Sequence, residues 1–296
     1  MPEPDLLSAG EAFEDLVFVG LERLPRPGEE IRTDRFSETI GGGAVITAVA
    51  AARTGTNVSL ASGLSDAAVG RLSGERLHVT NLRRAGERHA VTAALSTKHE
   101  RAFVTFDGVN LQLERRLGPV LRATRARHVH LALYPRHPRV WIERVNRLRR
   151  RRITASWDFG WNDALARDPL LTTLIDTLTI VFVNADEARL YAGAKRLDDA
   201  LAYWRKRRPI VVVKLGAAGS RVVGSGGEYA ARAPKVVAVD TTGAGDAFNG
   251  GFLSAWLRGM SLRECLKEGN RIGAASTRKA GGIEALTLSP FHPLTL

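Results

Sequence analysis

From Ala126 onward the chain repeats one pattern, a short apolar run followed by a polar stretch with helical spacing. The apolar runs are HVHLAL, ITASWDF, TIVFVN and IVVVKLG, and helices are expected at Pro138 to Arg150 and Ala185 to Tyr191. Strands alternating with helices imply crossover connections, hence a parallel sheet covered on both faces. The runs IVFV and IVVV suit central strands buried on both sides. Upstream, Ala12 to Val19 reads as a strand, and Gly41 to Gly43 lead into an Ala-rich helix that stops at Gly55, before a strand from Asn57 to Ala61. Ala90 to Ser96 and Arg101 to Phe106 flank the turn TKHE and read as a hairpin apart from the main sheet. The expected organisation is one domain over residues 1–296, with lid segments at about 20–40 and 88–106.

The 296 residues, 44% of them hydrophobic, are enough for a sizeable core. No stretch approaches the roughly 18 consecutive apolar residues of a membrane span. The first fifteen residues carry acids where a secretory signal carries basic residues, and Cys265 stands alone. A cytoplasmic protein without intrachain disulfides or membrane contact is the expectation. The net charge of +12 invites a nucleic-acid partner. However, the two basic clusters, RLRRRR at 147–152 and RKRR at 205–208, each end a helix-like segment, where cations complement the helix dipole. No nucleic-acid partner is expected. The same charge could attract ATP and an anionic acceptor, for which Arg136 and Arg139 are candidates.

The most informative stretch is VVAVDTTGAGDAFNGGFLSAWLRG, from Val236 to Gly259. An apolar strand is expected to end at Asp240, and helical spacing begins at Ala247, so the glycines fall at a helix N-terminus. Gly243, Ala244 and Gly245 leave room for backbone N–H groups to close on an anion, which the helix dipole also favours. Asp246, a carboxylate beside a phosphate site, needs a separate task. Taking the proton from an attacking hydroxyl is the simplest one.

These residues resemble the ribokinase-like carbohydrate kinases, the PfkB family, over about Gly10 to Gly282. DTTGAGDAFNGGF is similar to the family's C-terminal signature, and GGGAVITAVAAARTG to its N-terminal glycine motif. The resemblance implies a three-layer α/β fold with a mostly parallel sheet and a small β lid, ATP and Mg2+ as cofactors, and a sugar-like small molecule as acceptor. It makes Asp246 the base and Gly243 to Asp246 the anion hole. FVNADEARLYAG resembles the segment whose Asn184 and Glu187 organise magnesium, Glu187 through water; the pair also has the spacing of a helix cap. VVVKLGAAGSRV points to Lys214, Gly216 and Gly219 beside the nucleotide, and LKEGNRIGAAS places Asn270 and Ala274 near the adenine. Asp240 and Thr242 take the family's monovalent-cation site, for K+. On the acceptor side, GEAFEDLVF resembles the first family strand, which makes Asp15 the residue that holds sugar hydroxyls, with Gly42 and Gly43 letting the backbone approach. Lid strands in this family often pair between subunits, so a homodimer is expected through the lid.

The chain departs from the family pattern in three places. Ile46 stands where an Asn usually contacts the sugar, Ser65, Asp66 and Ala67 replace GDD, and a usual Asp, Asn, Arg pattern is reduced to Asp158, with Gly160 and Asn162. All three are expected at the acceptor pocket or its rim, and they point to an unusual acceptor. No GxxxxGK[ST], HExxH, CxxC or GxSxG motif occurs. His128 and His130 read as a hydrogen-bonded strand-end pair rather than a metal site. The function expected is ATP-dependent phosphorylation of a hydroxyl, with a nucleoside kinase or a non-catalytic sugar or nucleotide sensor as the alternatives.

Overall fold

The computed structural model describes residues 3–97, 100–225, 227–279 and 281–284. Its strands are β1 (Leu6–Gly10), β2 (Phe13–Phe18), β3 (Phe36–Gly41), β4 (Val58–Ser62), β5 (Leu77–Asn81), β6 (Val91–Ser96), β7 (Arg101–Phe106), β8 (His128–Ala132), β9 (Thr154–Asp158), β10 (Ile180–Asn184), β11 (Ile210–Lys214), β12 (Ser220–Gly224) and β13 (Tyr229–Ala231). The α-helices are α1 (Gly43–Arg53), α2 (Asp66–Leu72), α3 (Leu113–Ala123), α4 (Pro138–Arg150), α5 (Asp163–Ala166), α6 (Leu171–Thr177), α7 (Ala185–Ala192), α8 (Leu197–Trp204), α9 (Ala244–Leu257) and α10 (Leu262–Ser276).

Nine strands form the central sheet in the order β13-β12-β11-β10-β9-β8-β1-β4-β5. All neighbours pair in parallel except β11 with β12 and β12 with β13. Alternation along a strand sends side chains to opposite faces. Ile180 and Phe182 join the core that α1, α9 and α10 cover, whereas Val181 and Val183 join the core under α4, α6, α7 and α8. The result is the expected three-layer α/β arrangement, with IVFV and IVVV buried in its middle.

The second sheet has four strands in the order β3-β2-β6-β7, and its residues share a cleft with residues 239–242. The hairpin from β6 to β7 is present as expected. The lid differs from the expected segments at its start, because Phe13–Phe18 is one of its strands and residues 20–35 hold no strand or helix. The central sheet's own first strand is Leu6–Gly10, between β8 and β4. Asp15 is therefore a lid residue and not the end of a central strand.

One further expectation changes, and that for the two histidines holds. Val236 to Asp240 is not a strand: its hydrogen bonds run from Val239 and Asp240 N–H to Thr277 O, and Val237 and Val239 are exposed. His128 opens β8 and His130 follows within it, both fully buried. His128 Nε2 and His130 Nδ1 stand 2.7 and 2.9 Å from Ser156 Oγ. Burial lowers both imidazoles, to about 3 for His128 and about 4 for His130, so they remain neutral at physiological pH.

Candidate active site

The parallel strands β8, β9, β10 and β11 end on one edge of the sheet, and the N-termini of α1 and α9 meet beside it. Gly250 lets these two helices touch, since a Cβ there would lie 2.6 Å from both Ala50 Cβ and Thr47 O. Thr47 Oγ1 donates to Asp246 O at 3.0 Å. The two glycine motifs are thus brought together: a Cβ on Gly43 would stand 2.9 Å from Asp246 Oδ1.

Asp240 folds the turn before α9. Its Oδ1 accepts from Thr242 N–H (2.9 Å) and Thr242 Oγ1 (2.8 Å), and its Oδ2 accepts from Gly281 N–H at 3.1 Å. Gly243 caps the helix with φ 71°, the left-handed region that glycine enters freely. Ala244 N–H bonds Thr241 O at 3.3 Å, while the N–H groups of Gly245 and Asp246 have no acceptor among the described residues. Such unsatisfied donors at a helix N-terminus make an anion site.

Around Asp246 stand one cation and two more acids. Lys214 Nζ, at the end of β11, donates to Asp158 Oδ2 at 2.6 Å and would lie 3.1 Å from a Cβ on Gly245. Asn249 Nδ2 donates to the same Asp158 oxygen at 2.7 Å. Burial would raise the Asp158 carboxyl, but Lys214 and Asn249 hold it below the usual range. Burial, then the charge of Asp158, pushes Asp246 up to about 7, while Lys214 opposes the rise. Burial works against the Lys214 charge as well, yet the surrounding carboxylates keep its pKa above the ordinary lysine value.

Asn184 and Glu187 form a complete capping box for α7. Asn184 Oδ1 accepts from the N–H groups of Asp186 and Glu187, both at 2.9 Å, and Glu187 Oε2 accepts from Asn184 N–H at 2.8 Å. The Glu187 carboxyl is buried and rises to about 7, through desolvation first and the nearby Asp158 second. Its Oε1 makes no hydrogen bond among the described residues, leaving one oxygen that can meet a metal-bound water. No group of three or more His, Cys, Asp or Glu among the described residues closes on one point. A single carboxylate is what a magnesium ion needs when it keeps its waters and takes its other ligands from phosphates.

The other residues expected at the nucleotide sit along the same side. Gly216 has φ 58°, and Gly219, with φ 103°, passes so close to β13 that a Cβ would meet Ala231 O at 2.1 Å. Asn270 Nδ2 donates to Ala231 O (3.1 Å) and Arg232 O (3.4 Å), tying α10 to β13, and Ala274 lies one turn further along α10.

Between the lid and the turn at 240–242 opens a cleft of about 1040 Å³, lined among others by Asp15, Thr39, Gly42, Thr92 and Asp240. Asp15 pairs with Thr39 in the lid register, and Glu14 points to the opposite side, where Ser65 Oγ donates to it. Burial, then Asp240 and Glu284, raises Asp15 to about 7. The glycines serve the protein's own packing. A Cβ on Gly41 would fall 1.9 Å from Asp15 Oδ2, and one on Gly42 would fall 2.4 Å from Glu11 O. Arg136 and Arg139 do not line this cleft; Arg136 borders a separate cavity with Tyr134 and Trp161.

The retained Asp158 and one departure expected at the acceptor pocket, Ile46, both lie near the start of α9. Asp158 is the partner of Lys214, and Ile46 Cδ1 would lie 2.5 Å from a Cβ on Gly243, packed under the anion-binding turn. Ser65, by contrast, caps α2 at the base of the lid. Asn249 is the residue that the sequence reading missed, although it lies three positions after Asp246 and so on the same helix face.

The profile of the pfkB family carbohydrate kinases matches residues 4–288. The chain belongs to that family. This PfkB-family kinase is 26% identical to the ribokinase of Haemophilus influenzae over 277 residues, 88% of each chain. It is 35% identical to a cytidine kinase of Thermococcus kodakarensis over 151 residues, 49% of this chain, and so spans about half (52%) of that relative's length. Among solved structures it superposes on the ribokinase of Giardia lamblia with a TM-score of 0.81 at 17% identity, covering 95% of this chain and 96% of that one. Arabidopsis thaliana ribokinase, complexed with ribose and ATP, gives a TM-score of 0.74 at 21% identity, covering 96% of each chain. These likenesses establish the ribokinase-like fold. No helix among the described residues is long and apolar enough to cross a membrane.

Proposed function

We propose that this carbohydrate kinase transfers the γ-phosphoryl group of ATP to a hydroxyl, most simply a hydroxymethyl, of a sugar or sugar-like small molecule, and that residues 1–296 work as one kinase domain. The observation that carries the reading is the position of Asp246. It combines a carboxyl raised to about 7, free N–H donors in its own helix turn, and contact with the glycine run that leads to the acceptor cleft.

The acceptor sits between Asp15, Gly42, Gly43 and Asp246, with its hydroxyl hydrogen bonds accepted by the Asp15 carboxylate. The acceptor oxygen forms a bond to the γ-phosphorus as the bond from that phosphorus to the ADP oxygen breaks. The acceptor proton passes to Asp246. Charge on the transferred group is met by the N–H groups of Gly245 and Asp246, with Gly243 and Ala244 shaping the turn. Lys214, Gly216, Gly219, Asn270 and Ala274 line the nucleotide side, with Lys214 placed at the phosphates. Magnesium, when bound, supplies positive charge to the phosphate oxygens, and Glu187, steadied by Asn184, would hold it through water. Asp240 and Thr242 would hold K+ beside the anion turn.

The lid would close over the acceptor and exclude water. Phe36, Phe103, Val104 and Phe106 are exposed on its strands, where a second copy would pair. We place the reaction in the cytoplasm, with neither nucleic acid nor membrane as a partner.

A nucleoside is the second acceptor class, favoured by a cleft of about 1040 Å³ that also offers the rings of Phe13 and Phe103. The deciding experiment is magnesium-dependent ADP release across sugars, sugar acids, phosphosugars and nucleosides, with Asp246→Asn run in parallel. A signal that disappears in the variant supports the kinase reading and names the class. ATP binding with silence throughout would favour a sensor, and undiminished turnover in Asp246→Asn would remove it from the role of base.

A further inference from the structure

The two arginine clusters, far apart in sequence, meet in the structure. Arg149 and Arg152 at the end of α4, and Arg208 ahead of β11, line one cavity of about 330 Å³. It lies at the amino ends of β9, β10 and β11, the strands whose carboxyl ends carry Asp158, Asn184 and Lys214. At about 3.3 Å per residue, these strands separate it from the active site by roughly 13 Å.

Arg149, Arg152 and Arg208 border this space, and none of their guanidinium groups makes an ion pair or side-chain hydrogen bond among the described residues. The acid in the wall, Asp176, is already engaged. Its Oδ2 stands 3.6 Å from Arg207 Nη1, and its Oδ1 accepts from Arg208 N–H at 3.2 Å. Threonine hydroxyls in the wall are turned to the backbone, as Thr177 Oγ1 donates to Leu174 O at 2.6 Å and Thr154 Oγ1 to Arg127 O at 3.1 Å. The cavity therefore carries uncompensated positive charge over an apolar floor of Ile153 and Leu178.

Arg152 adds an independent observation. Its φ of 60° makes it the one non-glycine residue with positive φ among the described residues. It closes α4, with Ile153 N–H bonded to Leu148 O and Arg152 N–H to Arg149 O, the position where helices commonly place glycine. An arginine held there against its backbone preference points to work for the side chain.

We propose that this cavity is an oxyanion site for a phosphorylated small molecule, distinct from the ATP and acceptor sites. Guanidinium forks match phosphate oxygens in charge and geometry, and the volume suits a small phosphate or diphosphate ester.

The test is calorimetric titration of pyrophosphate into the full chain with the active site saturated by ADP. One binding event is expected. The pair Arg149→Gln with Arg208→Gln should weaken it at least tenfold. Arg152→Gly should weaken it likewise while melting no lower than the parent, because glycine suits that backbone. The pair Arg147→Gln with Arg150→Gln also removes two positive charges, both from α4 outside the cavity, and should leave the event intact. Absence of binding to the parent, or equal affinity in all four proteins, would overturn the proposal. ADP binding at the parent level in every variant establishes that each is folded.

Discussion

The Lys214 ammonium reaches across β10 to the Asp158 carboxylate, with 2.6 Å between Nζ and Oδ2. Both side chains are nearly closed to solvent, so the pair cannot be dismantled from one side without leaving a buried charge. Replacing Lys214 by Met should cost about 3–5 kcal/mol of stability, read from denaturant unfolding. It should also hold Asp246 protonated to higher pH, since Lys214 is the group that opposes its rise. A pH–rate profile unchanged in Lys214→Met would show that the ammonium does not act on the base.

The parent's own profile follows from the same carboxyls. A base must be ionised, and Asp246 and Asp15 both stand at about 7. The rate at low acceptor concentration should therefore rise from pH 5.5 to about 7.5 and then level, with a slope above one at the acid end. A flat profile over that range would contradict the assignment.

Stability should move the opposite way. A carboxyl whose folded pKa lies above the ordinary 3.8 binds its proton more tightly in the folded chain, so its contribution is present below that value and is lost as pH rises through about 7. Asp246→Asn removes the loss. Thermal melts should find this variant more stable than the parent at pH 8, by a margin that shrinks steadily as the pH falls and has nearly gone at pH 4. Equal melting temperatures at both would mean that ionised Asp246 is not penalised in the folded state.

Gly41 offers a test of the acceptor side alone. A methyl group there would occupy the place of Asp15 Oδ2, displacing the carboxylate from the cleft. Gly41→Ala should raise the acceptor KM roughly tenfold to a hundredfold, the worth of about 1.5–3 kcal/mol for a charged hydrogen bond, with the ATP KM unchanged. Steady-state kinetics with each substrate varied in turn separates the two.

Gly243 is doubly constrained, by its φ of 71° and by Ile46 Cδ1. Gly243→Ala should lower turnover. Adding Ile46→Ala should recover part of the lost stability but not all of it, because the backbone strain of roughly 1–2 kcal/mol remains. Full recovery in a melting experiment would assign the whole effect to the side-chain clash.

The layers of the fold were legible because helices and parallel strands carry different periods, and the lid hairpin because a polar turn joins two alternating runs. Leu6–Gly10 escaped notice: LLSAG has little apolar bulk, and its burial on both faces comes from neighbours far along the chain. Val236 to Asp240 misled in the other sense, since alternating valines look like a strand whether or not a partner strand exists. Asp246 and its turn could be found because a short contiguous motif holds them. The grouping of Asp158, Lys214 and Asn249 could not, because it is assembled from two strands and a helix with no shared spacing. Ile46 was misplaced for a related reason, as a residue on α1 can face either the cleft or the turn behind it, and only the packing of α1 on α9 decides which.

The glycine crossing at the root of the lid has a bearing on how acceptor preference could be exchanged among relatives. Gly42 rides over Glu11 and Ala12, and Gly10 presses on the Ala132 carbonyl, so the chain enters and leaves the lid through contacts with no room for side chains. The lid strands also come from three separate stretches of sequence. A chimaera made by moving one contiguous block would carry only part of the acceptor wall. A working transplant needs three seams, each cut on the core side of this crossing.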